Sequence, residues 1–257
     1  MLITTSELEK IIDDPNLILV DTRSFQKYSQ AHIPNAVNLD LFSFHWIDTS
    51  HEGISSFNHQ FEKIFSRLGV TEGKKVIFYD DVSGMLAARG VWLLEYFSHP
   101  RVLMLDGGIT KWNSEGRASS IILVNYKPAN FSGKPNPKIL AGFQHILDNL
   151  NKITILDVRS KEEFSGKLVR AARGGHIPTS INVDYTENIA KDGTFKDAEQ
   201  LSKLYQLKKD IEIVTYCQGA YRAANTYVAL KKIGFTNIKV YLGSWGEWGN
   251  ILKLPIE

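Results

Sequence analysis

The sequence predicts an α/β protein of two tandem domains, each a mostly parallel sheet with helices on both faces. Three observations carry that prediction. Short apolar strands alternate with helical stretches along the chain. Four blocks of sequence recur once, in the same order. A stretch with three prolines (Pro128, Pro135, Pro137) separates the two copies.

The repeat is read block by block. Leu17-Ile-Leu-Val-Asp-Thr-Arg-Ser24 answers Thr154-Ile-Leu-Asp-Val-Arg-Ser160. Ala31-His-Ile-Pro-Asn-Ala-Val-Asn38 answers Gly175-His-Ile-Pro-Thr-Ser-Ile-Asn182. Val76-Ile-Phe-Tyr-Asp80 answers Ile213-Val-Thr-Tyr-Cys217, and Leu105-Asp-Gly-Gly-Ile-Thr-Lys-Trp112 answers Tyr241-Leu-Gly-Ser-Trp-Gly-Glu-Trp248. The offset stays at 136 or 137 residues, except at the second His-Ile-Pro, which follows eight extra residues. The expected division is therefore a first domain over 1–124, an extended linker over 125–137 and a second domain over 138–257. Helices are expected over Ser6–Asp13, Ser56–Leu68, Gly84–Phe97, Ala198–Leu207 and Ala223–Lys232.

Composition narrows the function. Thirty basic against 28 acidic residues leave a net charge of +2, too little for bulk-charge binding to nucleic acid or a membrane surface. No run approaches the ~18 apolar residues of a membrane span, and no signal peptide is read at the start. A single cysteine, Cys217, supports neither an internal disulfide nor a thiolate zinc site, and a reducing cytoplasm is expected.

Cys217 stands where a strand hands over to a helix, in Ile213-Val-Thr-Tyr-Cys-Gln-Gly-Ala-Tyr-Arg222. In a parallel α/β fold, ligands bind at the carboxyl ends of the strands. A thiol there faces backbone N–H groups at the positive end of a helix, with Arg222 nearby. That setting favours an anionic sulfur. An isolated cysteine is more often a small buried hydrophobe; the strand–loop–helix context, Gly219 and Arg222 argue for the nucleophile.

Together these motifs resemble the two-domain rhodanese-type sulfurtransferases over nearly the whole chain. The resemblance implies an inactive first domain, an active second one, a site near their interface and a persulfide carried on Cys217. The position matching Cys217 in the first copy is Asp80, which cannot carry sulfane sulfur. The resemblance also implies that the loop residues Gln218, Gly219, Ala220, Tyr221 and Arg222 bind the substrate, their N–H groups stabilising its charge. Gly219 is expected to let the loop curl. Thiosulfate is the expected donor, with cyanide or a thiol as acceptor; 3-mercaptopyruvate is the alternative. Where some family members carry an arginine after the Asp-x-Arg strand, this chain has Glu163, and Arg170 or Arg173 in the insertion would supply the missing charge.

Other candidates are weighed against simpler roles. Asp157 and Arg159 are repeated by Asp21 and Arg23 in the copy without cysteine, which favours a structural pair. His176 is repeated by His32 and is read the same way. Ser244 faces Gly108 in the first copy, so its hydroxyl belongs to the active copy alone. Trp245 is the better candidate for a pocket wall, since Trp248 has a counterpart in Trp112. No metal or cofactor is called for. The expected partners are small-molecule sulfur donor and acceptor, with no nucleic acid and no membrane, and the chain is expected to be a monomer. Two rivals remain: a cysteine-dependent phosphatase or arsenate reductase, whose loops place five residues between Cys and Arg where this chain has four, and a non-catalytic scaffold.

Overall fold

The computed structural model describes residues 1–257 in two compact units. In unit 1, β1 (Leu2–Ile3), α1 (Thr5–Glu9), β2 (Leu17–Asp21), α2 (Phe25–Gln30) and β3 (Ala36–Asn38) are followed by α3 (His51–Arg67, in this unit from Ser56 onward), β4 (Lys75–Tyr79), α4 (Met85–Tyr96), β5 (Val102–Leu105) and α5 (Gly108–Ser114). In unit 2, β6 (Leu140–Ala141), α6 (Phe143–Leu147), β7 (Thr154–Asp157), α7 (Lys161–Phe164) and β8 (Ile181–Asn182) are followed by α8 (Ala198–Leu204), β9 (Ile213–Tyr216), α9 (Tyr221–Lys232), β10 (Ile238–Tyr241) and α10 (Ser244–Trp248). The strand orders are β1-β5-β4-β2-β3 and β6-β10-β9-β7-β8, the same path drawn twice. Every strand pair is parallel.

The sequence explains the layers. Every residue of β2 and of β9 is buried, so both faces of these central strands are covered, and both read as continuous apolar runs broken only by a buried Thr or Asp. α9 buries nine of its residues, from Tyr221 to Leu230. In α3, Phe57, Phe61 and Phe65 repeat at a spacing of four and are fully buried. α1 ends four residues short of the expected Asp13, as turns lead to Asp14-Pro15, where proline disfavours a helical predecessor.

The domain limits differ from the sequence division. Unit 1 holds Met1–His45, Ser56–Pro135 and Ile189–Phe195, and unit 2 holds Trp46–Ser55, Asn136–Asn188 and Lys196–Glu257. Hydrogen bonds explain the reassigned pieces. In unit 2, the Glu247 carboxylate accepts from the Thr49 N–H (2.7 Å) and hydroxyl (2.7 and 2.8 Å). In unit 1, Ser83 N–H donates to the Gly193 carbonyl (2.8 Å) and Phe195 N–H to the Asp106 carboxylate (2.8 Å). The expected linker belongs largely to unit 1. Ala129 N–H bonds the Ser66 carbonyl (2.8 Å), and Phe131 is buried between Phe65 and Phe97.

The loop after β4 shows what this architecture holds when no cysteine is present. Asp80 is buried, and its two oxygens accept the N–H groups of Gly84 (3.0 Å), Leu86 (3.0 Å) and Ala87 (3.2 Å). The chain has placed its own carboxylate in the mouth of α4. Burial pushes that carboxyl up to about 6 from 3.8, against the lowering effect of the three N–H bonds. A pKa raised by folding means that the folded state holds the proton more tightly, so stability falls as pH rises through the window from about 4 to 6. Asp80→Asn removes this titration. Chemical unfolding of the two proteins should show the wild type losing up to about 3 kcal/mol relative to the variant across that window. Parallel pH profiles would show that the carboxyl does not titrate there.

Candidate active site

Cys217 follows β9 directly and is 1% exposed. Three backbone-level devices fix its loop. The N–H groups of Trp245 and Gly246, in the first turn of α10, bind the carbonyls of Cys217 (2.9 Å) and Gln218 (2.9 Å). Unit 1 repeats this clamp, with Ile109 and Thr110 N–H on the carbonyls of Asp80 (3.0 Å) and Asp81 (3.0 Å). The third device exists only in the second copy. The Ser244 hydroxyl accepts the N–H groups of Cys217 (3.2 Å) and Ala220 (3.0 Å) and donates to the Tyr241 carbonyl (2.8 Å).

Two expectations about the loop change accordingly. The Ala220 N–H is committed to Ser244, so it is withdrawn from the set of amides expected to face the substrate. The left-handed position that the turn needs is Ala220 (φ 66°), where the sequence had placed that freedom at Gly219. α9 then starts at Tyr221, which is buried, two residues earlier than expected.

Arg222 is the cation of the site, and it is not alone. Its guanidinium grips both oxygens of Glu163, at 2.5 and 3.0 Å, and its charge lies within electrostatic reach of Cys217. Burial opposes the charge on Arg222, yet Glu163 and the sulfur outweigh it and raise its pKa further. Burial likewise pushes Glu163 up, but the Arg222 bonds prevail and hold it below the usual carboxylate value, so Glu163 remains ionised at neutral pH. Glu163 reaches this place through local sequence. Ser160 caps α7, and Glu163 closes the capping box from its first turn.

The insertion of the second copy contributes one contact to this group. The Arg170 Nε lies 3.6 Å from Glu163 Oε1 on a half-exposed side chain, and the Arg170 carbonyl accepts the Gln218 side-chain N–H (3.1 Å). Arg173 does not contribute. Its guanidinium is spent on the carbonyls of Trp248, Gly249, Ile251, Leu252 and Leu254, where α10 ends. The expectation that Arg173 supplies charge to the substrate is therefore corrected. Trp245 is also corrected. Its ring is a core member, 1% exposed, with the Arg159 guanidinium 4.6 Å from its centre and its Nε1–H on the Arg173 carbonyl. It is not free to wall a pocket.

The remaining candidates take structural places. Asp157 and Arg159 form a bidentate pair, with the Tyr216 hydroxyl on Asp157 (2.6 Å) and Arg159 on the Gly175 carbonyl (2.9 Å). Asp21 and Arg23 form the same pair in unit 1, and Arg23 donates to the Ala31 carbonyl. His176 stacks on Phe164 and engages its carbonyl, as His32 does on Tyr28. The residue that sequence reasoning undervalued is Glu163. It was read as a missing cation, although its place in a capping box just after the Asp-x-Arg strand already put it at the sheet edge. No cluster of three or more His, Cys, Asp or Glu is arranged to hold a metal ion, and no helix is long and apolar enough to cross a membrane.

The chain is similar to known proteins. The rhodanese-like domain family matches residues 4–115 and again 143–251. The chain is 32% identical to the thiosulfate sulfurtransferase of Azotobacter vinelandii, over 100% of this chain and 97% of that protein. It is 30% identical to the sulfur carrier protein TtuD of Thermus thermophilus, over 100% of this chain and 96% of that one. Among solved structures it is similar to SseA from Escherichia coli, described as a 3-mercaptopyruvate sulfotransferase, with a TM-score of 0.82, 26% identity and 96% and 99% of the two chains covered. With two rhodanese-like domains and full-length relatives of this kind, the chain belongs to the rhodanese family of sulfurtransferases.

Proposed function

We propose that this sulfurtransferase moves sulfane sulfur from thiosulfate to a thiophilic acceptor through a persulfide on Cys217. One observation carries the reading. The lone sulfur sits at the carboxyl end of β9 and the amino end of α9, with the Arg222 guanidinium within electrostatic reach. Two curated relatives at 32% identity bear the name thiosulfate sulfurtransferase, which supports the choice of donor.

The reaction is a double displacement. The Cys217 thiolate attacks the outer sulfur of thiosulfate; the sulfur–sulfur bond of the donor breaks, and its electron pair leaves with sulfite. Cys217 now carries a persulfide anion. Cyanide or a thiolate then attacks the outer sulfur, and the Cys217 thiolate returns. With cyanide the product is thiocyanate, and no proton, oxidant or reductant is consumed. The negative charge stays at the loop throughout, where Arg222 and the α9 amino end stabilise it without reorganising. Ser244 has the role of holding the loop closed. Its hydroxyl ties the start and end of the turn together through Cys217 and Ala220, so the loop keeps its shape as sulfur arrives and departs. Four residues between Cys217 and Arg222 make a loop smaller than the five of the phosphatase class, which argues against phosphate as the group transferred.

A second reading takes 3-mercaptopyruvate as donor. The Glu163–Arg222 pair favours it, since a neutralised arginine attracts a dianion less. Turnover with each donor, at matched ionic strength, separates the two.

Intact-mass measurement after thiosulfate treatment should show the gain of one sulfur atom, lost on adding cyanide and absent in Cys217→Ser. An unmodified wild type, or a Cys217→Ser protein with full turnover, would refute the mechanism. Arg222→Ala should lower kcat/KM for thiosulfate about 100-fold, the scale of one lost charge-stabilising group; a change under about threefold would remove Arg222 from the chemistry. Ser244→Ala leaves two N–H groups and a carbonyl without their partner, a cost of about 1–3 kcal/mol. Its kcat should fall at least tenfold even well below its unfolding temperature, and an unchanged kcat in a destabilised protein would assign Ser244 to stability alone.

A further inference from the structure

Glu163 is the least expected charge beside the sulfur. Its side chain is 2% exposed, and a buried carboxylate persists only where it is well paired. Both its oxygens are taken by Arg222, the guanidinium that ends the Cys217 loop. Arg170 stands at the exposed edge, 3.6 Å away. Two cations thus share one carboxylate, Arg222 inside and bidentate, Arg170 at the edge, and the group carries one net positive charge.

The first copy carries a mirror image of this arrangement. The position matching Glu163 is Lys27, at the repeat offset of 136 residues. Lys27 bonds Asp81, the loop residue next to Asp80, at 2.6 Å. In each copy the first turn of the helix after the Asp-x-Arg strand thus opposes the charge of the facing loop: a base against an acidic loop, an acid against a basic one. This recurrence makes the position a charge complement to the loop rather than an accident of one helix.

We propose that Glu163 sets the donor charge that the Cys217 site accepts: by neutralising Arg222 it reduces the advantage of doubly charged over singly charged sulfur donors, leaving Arg170 to meet the donor's anionic end. The inference rests on the sulfurtransferase reading of Cys217 and acts through Arg222, so Glu163 is a positioning residue. A carboxylate near the entering group repels a dianion twice as strongly as a monoanion. Its removal therefore changes the ratio between donors as well as their common rate.

The test uses the full chain with Glu163→Gln, which retains the reach and capping geometry, and Glu163→Asp, which retains the charge. The first readout is kcat/KM for thiosulfate, a dianion, relative to benzenethiosulfonate, a monoanion. Glu163→Gln should raise this ratio about fivefold, mainly through a lower KM for thiosulfate, and Glu163→Asp should stay near the wild type. The second readout needs no sulfur transfer. The alkylation rate of Cys217 by iodoacetate, relative to neutral iodoacetamide, should rise by a similar factor in Glu163→Gln alone. Unchanged ratios in Glu163→Gln, or equal shifts in the Gln and Asp variants, would overturn the proposal and leave Glu163 a structural ion-pair partner. If the wild type transfers no sulfur, the catalytic reading fails, while the alkylation ratio still decides the role of Glu163.

Discussion

One guanidinium holds the site together. Arg222 closes the loop that begins at Cys217 and takes both oxygens of the buried Glu163 carboxylate, and each of these two buried charges would be costly without the other. Glu163 can be buried because Arg222 takes both its oxygens. Arg222 can be buried because it finds Glu163. The Cys217 sulfur lies in a nearly closed loop between β9 and the amino end of α9. The loop, the insertion and α7 are all placed so that the Glu163–Arg222 contact forms.

The duplicated scaffold shows which features are architecture and which are chemistry. Both copies clamp the loop after the third sheet-centre strand with the first amides of a short helix, and both lock an Asp-x-Arg pair against a neighbouring carbonyl. What differs is what fills the loop. Unit 1 inserts Asp80 and satisfies three amides with its own carboxylate. Unit 2 offers a sulfur, adds the Ser244 hydroxyl as a brace and brings the Glu163–Arg222 pair beside it. The first copy thus fills with its own carboxylate the loop position that Cys217 holds in the second.

Much of this was legible in the sequence because it rests on local pattern. The apolar runs of β2 and β9 give buried parallel strands, and the recurrence of Asp-x-Arg, His-Ile-Pro and the cysteine-loop position gives two copies of one fold. Cys217 and Arg222 follow from their place between strand and helix. The rest depends on contacts between residues far apart in the chain. Arg173 looks like a free cation in sequence, but its reach to five carbonyls near the end of α10 is set by tertiary packing. Trp245 looks like a pocket wall, yet the helix start at Ser244 turns its ring into the core. Glu163 looks like a lost arginine, and only its approach to Arg222 from 59 residues away reveals a partner. The segments 46–55 and 189–195 show no compositional break, so their assignment to the other unit is written in hydrogen bonds such as Thr49 to Glu247.

The central claim is that the Cys217 sulfur accepts another sulfur inside its loop while Arg222 stays bound to Glu163. A crystal structure of the protein after exposure to thiosulfate tests it most directly. The account predicts one additional sulfur bonded to Cys217 Sγ, enclosed by residues 217–222 and hydrogen-bonded to backbone N–H groups, with the Glu163–Arg222 pair intact. An unmodified Cys217, or an added sulfur turned into the core away from Arg222, would contradict it.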